Sequence, residues 1–308
     1  MIEIKGLTKE FKNLTAVKNL TLTINKGDIF GFIGPNGAGK TTTIKMLATL
    51  LKPTEGYAEI AGYNVLTQVD EVKRVIGYMP DFFGVYDDMK VWEYLDFFAA
   101  AYKIEKARRK RIITDVLELT DLGGKRDDYV EALSRGMKQR LCLAKTLVHD
   151  PQVLLLDEPA SGLDPRARIE LRELLKELRR MGKTILISSH ILTELSDFCN
   201  TIGIIEQGEL KAAGEIEEIK NHMMLKRIIE VEVKSDPEKA HDALIDHANV
   251  KSVRLDGNWL EVEIPLECED YSFIFETLVA KGCKVVGVKE LEMNLEDIFM
   301  QITKGQVQ

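Results

Sequence analysis

The 308-residue sequence has no long apolar run and only four cysteines. No stretch approaches the roughly 20 apolar residues that a membrane-spanning helix needs. The cysteines have neither metal-type nor C-x-x-C spacing, which favours free thiols in a reducing compartment. The first residues, 1–5, lack the charged-then-apolar pattern of a secretory signal. These absences predict a cytoplasmic chain.

The sequence also lacks an excess of basic residues. It carries 42 Lys and Arg against 50 Asp and Glu, a formal net charge of −8. This balance disfavours nonspecific binding to nucleic acid, and we expect no nucleic-acid partner. The length suggests about two domains, and the 45% apolar content is enough to bury a core in each.

A complete G-x-x-x-x-G-K-[ST] motif is present at residues 34–41, directly after the apolar run 29–33. Glycines let the backbone wrap a phosphate chain, and the N-terminus of the following helix faces the negative charge. Lys40 can reach the β- and γ-phosphates, and the Thr41 hydroxyl can ligate Mg²⁺. We therefore predict binding of ATP with Mg²⁺ by Gly34, Pro35, Asn36, Gly37, Ala38, Gly39, Lys40, Thr41 and Thr42.

Two acidic residues follow a second apolar run, 153–156. At the end of a buried strand, Asp157 would hold the magnesium ion and Glu158 would act as general base on the attacking water. Four apolar residues followed by two acids also fit an ordinary core strand with a solvated end. The phosphate-binding motif favours the catalytic interpretation.

Further motifs occur in a fixed order around these two. Residues 133–140 read LSRGMKQR, residues 161–164 read SGLD, His190 follows the segment TILISS at 184–189, and Phe11 lies near the end of the first predicted strand. With these motifs, roughly residues 1–218 resemble the ATP-binding subunit of an ATP-binding cassette (ABC) transporter, in the exporter branch with a separate permease chain.

The resemblance implies roles for four of these residues. Phe11 would stack on adenine, and His190 would bridge the γ-phosphate and the loop that carries the base. Ser134 and Gly136 would reach the nucleotide held by an opposite subunit, so that two chains sandwich two ATP molecules head to tail. The implied partners are a transmembrane permease and a second copy of the chain or a paralogous ATPase, on the inner face of the cell membrane.

Two positions depart from the family pattern. Asp81 stands where the family commonly has a metal-contacting glutamine, and as a carboxylate it could still ligate magnesium while adding negative charge. Arg135 replaces the glycine usual in the signature motif. We hypothesise that its cation offsets part of the anion charge near the phosphate position.

The predicted fold is α/β: a P-loop ABC ATPase domain over residues 1–220, with a helical subdomain at about 82–146. A helix is predicted from Asp164 to Met181, with Gly182 as its C-terminal cap. Residues 221–308 show a β-α-β-β-α-β order, which indicates a small ferredoxin-like α+β domain. Asn294 would begin a closing helix. Dimer contact or regulation is the expected use of this domain.

These features predict an ATPase subunit that powers a separate permease, for export of a small molecule, drug or lipid. A chromosome- or repair-associated ATPase is disfavoured, because residues 82–132 are too few for the long coiled coils of that class. The alternative is a soluble regulatory or translation-associated ABC ATPase without a membrane partner. Such proteins usually fuse two cassettes, whereas this sequence has one phosphate loop.

Overall fold

The computed structural model describes residues 1–82, 84–191, 195, 197–223, 227–268 and 270–291. These residues form two compact units, the first covering Met1–Ile216 and the second beginning at Glu217. The first unit contains both strands and helices, and the second has its own sheet, whose core includes residues of two helices. The mixed α/β fold class predicted from the sequence is confirmed.

The first unit contains an antiparallel sheet of four strands. Its strands are β1 Ile2–Phe11, β2 Leu14–Ile24, β4 Glu55–Ile60 and β5 Tyr63–Asn64. They are ordered β2-β1-β4-β5, and the alternating apolar residues of β1 and β2 face one core. That alternation is the pattern expected of strands with one buried face.

A six-stranded sheet forms the centre of the first unit. Its strands are β3 Ile29–Ile33, β6 Ile76–Met79, β7 Val153–Leu156, β8 Thr184–Ser189, β9 Thr201–Glu206 and β10 Glu209–Glu215. The order is β10-β9-β3-β8-β7-β6, with all neighbours parallel except β10 and β9. Every residue of β3, β7 and β8 is buried. Because β3, β8, β7 and β6 run parallel, the segments that follow them meet at one edge.

Seven helices of the described chain complete the first unit and lead into the second. They are α1 Lys40–Leu47, α2 Val69–Val75, α3 Val91–Ala101, α4 Lys106–Leu119, α5 Arg135–Leu147, α6 Pro165–Arg180 and α7 Ile216–Met223. Helices α3, α4 and α5 pack on one another. Within the described residues, none of the helices combines the length and the apolar character that crossing a membrane requires.

Helix α6 agrees with its sequence signals. The Asp164 carboxylate accepts a hydrogen bond of 3.0 Å from the backbone N–H of Ala167, which caps the first turn. Gly182 has a φ of 85°, the left-handed conformation that commonly follows a helix. The predicted helix from Asp164 to Met181 is therefore confirmed to within one residue at each end.

The second unit has the β-α-β-β-α-β order predicted from the sequence. Its elements are β11 Arg227–Val233, α8 Pro237–Ile245, β12 Ser252–Asp256, β13 Trp259–Ile264, α9 Ser272–Ala280 and β14 Val285–Leu291. The sheet is antiparallel with the order β12-β13-β11-β14, the ferredoxin-like arrangement. Apolar residues of both helices and the sheet form its core. The predicted helix from Asn294 lies outside the described residues.

Candidate active site

The phosphate loop connects β3 to α1. Gly39 has a φ of 106°, and a Cβ on it would lie 2.5 Å from the carbonyl oxygen of Ala16 in β2. A Cβ on Gly34 would lie 2.2 Å from the carbonyl oxygen of Ile205 in β9. Only glycine fits at these two positions, because neighbouring backbone occupies the space of a side chain. The loop thereby presents backbone N–H groups and the start of α1 to an anion.

Lys40 is buried, and its amine points back into the phosphate loop. Its Nζ donates hydrogen bonds to the carbonyl oxygens of Gly34 at 2.6 Å and Pro35 at 3.1 Å. It also lies 3.4 Å from Glu158 Oε1. Burial lowers the pKa of Lys40, and the charge of Glu158 opposes that lowering. The amine is therefore held between the phosphate loop and the carboxylate that follows Asp157.

Asp157 follows β7 and is 1% exposed. Its Oδ1 accepts hydrogen bonds from Thr41 Oγ1 at 3.1 Å and from Ser188 Oγ at 2.7 Å. Its Oδ2 is buried and has no hydrogen-bond partner within the described chain. Burial raises the pKa of Asp157, and the nearby charges of Asp81 and Glu158 add to that increase.

The oxygen atoms of Asp157 and Thr41 fit a magnesium ion that is held jointly with a nucleotide. The unpartnered Asp157 Oδ2 and the Thr41 hydroxyl are the hard oxygen ligands that Mg²⁺ prefers. In the part of the chain that the structure describes, no three His, Cys, Asp or Glu side chains form a group that could hold a metal. Magnesium usually binds through one or two carboxylates and the phosphates of its nucleotide, and this site offers that arrangement.

Glu158 is positioned by an unusual backbone and two cationic or polar neighbours. Its φ of 48° lies in the left-handed region, which is uncommon for a residue with a side chain and often marks a functional site. His190, at the end of β8, donates from Nδ1 to Glu158 Oε2 at 2.8 Å. With Lys40 on the other carboxylate oxygen, both oxygens of Glu158 have a neighbour. The site can therefore hold this carboxylate in one orientation.

Ser188 is a site residue that the sequence did not single out. Its hydroxyl donates to Asp157 Oδ1 at 2.7 Å and accepts from the backbone N–H of Glu158 at 2.9 Å. It therefore links β8 to both acidic residues. The available signal was a hydroxyl residue near the carboxyl end of β8, which also contains Thr184 and Ser189, and it was too common to interpret alone.

Replacing Ser188 with alanine should weaken the site. The change removes a hydrogen bond to a buried carboxylate and leaves a backbone N–H unpaired, a loss of about 1.5–3 kcal/mol. We expect a lower melting temperature and weaker magnesium-dependent ATP binding, measured by thermal unfolding and titration. The matched control is Ser189→Ala on the same strand, whose hydroxyl accepts from the Ile191 backbone N–H at 3.0 Å. Equal effects of both variants would contradict this role.

Replacing Asp157 with asparagine should stabilise the nucleotide-free protein at neutral pH. The folded-state pKa of Asp157 is raised, so its ionised form is disfavoured by folding above that pKa. We expect Asp157→Asn to have a higher melting temperature than wild type at pH 7.

The difference between wild type and Asp157→Asn should shrink as pH falls through the raised pKa, because the wild-type carboxyl then takes up a proton. The same variant should lose magnesium-dependent ATP binding. Thermal unfolding from pH 5 to pH 8 measures the first effect. A lower melting temperature for the variant at pH 7 would contradict the account.

Asp81 and Phe11 lie at the margins of the site. Asp81 follows β6, the neighbour of β7, and is exposed. Phe11 pairs with Leu14 where β1 and β2 join, and its ring is 47% exposed. Ala16, two residues after Leu14, contacts the phosphate loop at Gly39. The structure thus places Phe11 on a hairpin beside the phosphate loop, and the roles of both residues stay predictions.

The signature residues lie at the N-terminus of α5. Ser134 is its cap and accepts a hydrogen bond of 3.3 Å from the backbone N–H of Met137. Gly136 faces α6, where a Cβ on it would lie 3.6 Å from both Ala167 and Leu163. The structure therefore places these residues beside the segment that precedes α6. Contact with a nucleotide held by another subunit stays a prediction.

The chain is similar to known ATP-binding proteins of transporters. Residues 17–161 match the family described as ABC transporter, and residues 214–303 match the one described as ATP-binding protein DrrA1-3-like, C-terminal domain. The bacitracin transport ATP-binding protein BcrA of Bacillus licheniformis is 35% identical over 309 residues, which cover 99% of this chain and 98% of that protein. The linearmycin resistance ATP-binding protein LnrL of Bacillus subtilis (strain 168) is 30% identical over 307 residues, 98% of each chain.

Solved structures show the same fold. The dimeric ATP-binding cassette MJ0796, in a post-hydrolysis state bound to ADP and Pi, has a TM-score of 0.64 and 26% sequence identity. The match covers 70% of this chain and 99% of that cassette. The family relationship predicted from the motifs is confirmed: the chain belongs to the ATP-binding proteins of ABC transporters, and it is an ATPase.

Proposed function

We propose that this chain hydrolyses ATP to drive a separate membrane permease, which exports a small molecule, drug or lipid. The observation that carries the proposal is the convergence of Lys40, Asp157, Glu158 and His190 at one edge of the parallel sheet. The names of two full-length relatives, one of bacitracin transport and one of linearmycin resistance, favour an antimicrobial cargo. The chain would act on the cytoplasmic side of the membrane.

Hydrolysis follows from the contacts in the site. Phosphates entering the loop accept hydrogen bonds from its N–H groups, and Lys40 can exchange the carbonyls of Gly34 and Pro35 for phosphate oxygens. That movement takes the amine away from Glu158, which can then accept a proton from water. His190 keeps the carboxylate oriented throughout. Magnesium, bound by Thr41 and Asp157 with the phosphates, would supply charge neutralisation.

We also propose that two chains act together head to tail. Ser134 is exposed and Gly136 is partly exposed at the start of α5, a position from which they can meet a nucleotide on another subunit. The similar cassette MJ0796 is dimeric in the state bound to ADP and Pi. Each chain then supplies a phosphate loop to one site and a signature segment to the other.

A mixing experiment tests this arrangement. Lys40→Ala removes the phosphate-binding amine, and Gly136→Asp puts a carboxylate beside the expected γ-phosphate. A Cβ at residue 136 makes only ordinary contacts, so the second variant should fold. Each variant alone should be inactive, whereas an equal mixture should regain at most about a quarter of wild-type activity, because half of the dimers have one intact site. No regain at any ratio, with both variants folded, would contradict the composite site.

A groove in the first unit has a lining that fits a segment of the permease. It encloses about 290 Å³ and is lined by Ala48, Leu50, Lys73, Ile76, Tyr78, Phe98, Tyr102, Lys145 and Thr146. Lys73 is exposed, and Lys145 Nζ lies 5.2 Å from the centre of the Phe98 ring. Apolar walls with two cations fit a permease segment that carries an apolar side chain and a carboxylate. Because Ile76 and Tyr78 belong to β6, occupancy of the groove would act on the strand that leads to Asp81.

A growth assay tests the cargo class. A strain that lacks this chain should become more sensitive to at least one antimicrobial compound, and expression of the wild-type chain should restore tolerance. Expression of Lys40→Ala should not, because export would need nucleotide binding. Equal tolerance in all strains across peptide, polyene and lipid-like compounds would count against export of such cargo.

A further inference from the structure

The arginine of the signature segment contacts the turn that follows Glu158. Arg135 is the first residue of α5, and its Nη2 donates a hydrogen bond of 3.3 Å to the carbonyl oxygen of Ser161. A Cβ on Gly162 would lie 2.2 Å from Nη2, 2.3 Å from Cζ and 2.5 Å from Nη1 of Arg135. These nearly equal distances show that the face of the guanidinium lies against Gly162.

The same turn is bonded to Glu158. The backbone N–H of Ser161 donates to the carbonyl oxygen of Glu158 at 3.0 Å, while the carbonyl of Ser161 accepts from Arg135. Four residues along α5, on the same face of the helix, Gln139 Nε2 donates to the carbonyl oxygen of Pro159. One face of α5 therefore holds two carbonyls of the segment that begins at Glu158.

Two features of Gly162 allow the guanidinium of Arg135 to lie against it. Its φ of 68° is a conformation that favours glycine, and the space of a side chain at this position is filled by the guanidinium. A planar group can lie flat on an exposed glycine backbone, whereas the ammonium of a lysine is compact and strongly hydrated. The contact therefore depends on the shape of the arginine as well as its charge.

We propose that Arg135 is a positioning residue that holds the Ser161–Gly162 turn against α5 and so fixes the carboxylate of Glu158 for hydrolysis within its own subunit. The inference rests on the proposed role of Glu158 as base. It differs from the hypothesis that Arg135 offsets phosphate charge, because the guanidinium is occupied by backbone in the structure. Arg135 would thus connect the signature segment of one site to the base of the other.

Steady-state kinetics distinguish the two roles. Arg135→Ala should lower kcat by about tenfold or more, as small misplacements of reacting groups do, while KM for ATP changes less than about twofold. Arg135→Lys keeps the charge without the planar group and should restore little of the loss. An increase in KM at unchanged kcat, or full rescue by lysine, would overturn the proposal. Arg108→Ala, at an exposed arginine of α4, is the control.

A double-variant cycle tests the contact without reference to catalysis. Gly162→Ala should displace the guanidinium, so its decrease in melting temperature should be smaller in the Arg135→Ala background than in wild type. Additive decreases in melting temperature would show that the two residues do not interact and would overturn the proposal. If Glu158→Gln turned over ATP like wild type, the proposed role of Glu158 would fail while this cycle could still be read.

Discussion

Replacing Glu158 with glutamine should lower kcat for ATP hydrolysis at least about 100-fold, the lower end of what general acid–base catalysis contributes. Glutamine has nearly the same shape but cannot take a proton from water at neutral pH. ATP should still bind, because the phosphate loop and Lys40 are intact. The Lys40 amine would also lose its ionic partner at 3.4 Å, which frees it for phosphate.

With Mg²⁺ and ATP present, Glu158→Gln should accumulate as an ATP-loaded dimer. Light scattering during size-exclusion chromatography measures the mass of this species. Glu177→Gln, at an exposed residue of α6, is the matched control and should turn over like wild type. Wild-type turnover by Glu158→Gln would refute its assignment as the base. If Glu158→Gln turned over slowly but stayed monomeric, the assignment of Glu158 as the base would stand and ATP-driven dimer closure would be refuted.

Replacing Lys40 with alanine should weaken ATP binding at least tenfold. A hydrogen bond to a charged group contributes about 1.5–3 kcal/mol, and each 1.4 kcal/mol changes the dissociation constant tenfold. The loss also leaves Glu158 without the cation beside its Oε1, so more negative charge faces the phosphates. Isothermal titration with ATP and Mg²⁺ measures the change directly.

Lys45 offers a matched control for that experiment. It lies on the same helix, α1, but is exposed, so Lys45→Ala should bind ATP like wild type. Equal affinities of the Lys40 and Lys45 variants would show that the buried amine does not contact phosphate. At one ATP concentration, ATP should raise the melting temperature of the control more than that of Lys40→Ala.

The phosphate loop and the two acidic residues could be predicted from the sequence because local rules govern them. The glycines at 34 and 39 are required where a backbone oxygen fills the space of a side chain, and this need appears as a fixed spacing. Apolar runs that end in polar residues indicate parallel strands whose carboxyl ends carry a site. The order of elements after residue 220 likewise predicted the ferredoxin-like unit.

Contacts between distant segments could not be predicted in this way. The bond from Ser188 to Asp157 depends on β8 lying beside β7, and no local pattern gives that order. The position of Arg135 on Gly162 depends on how α5 packs against the turn before α6. The sequence indicated a cation near the phosphates, whereas packing gives the guanidinium a backbone partner.

Affinity capture of the tagged chain from detergent-solubilised native membranes, with mass spectrometry of the recovered proteins, tests the central claim most directly. Lys73→Glu/Lys145→Glu, which reverses both charges of the groove, is the matched variant. We predict that a multi-span permease accompanies the wild-type chain and is depleted from the variant, while the variant's ATPase activity persists. Recovery of soluble partners alone, with ATPase activity intact, would contradict it and favour a regulatory ATPase.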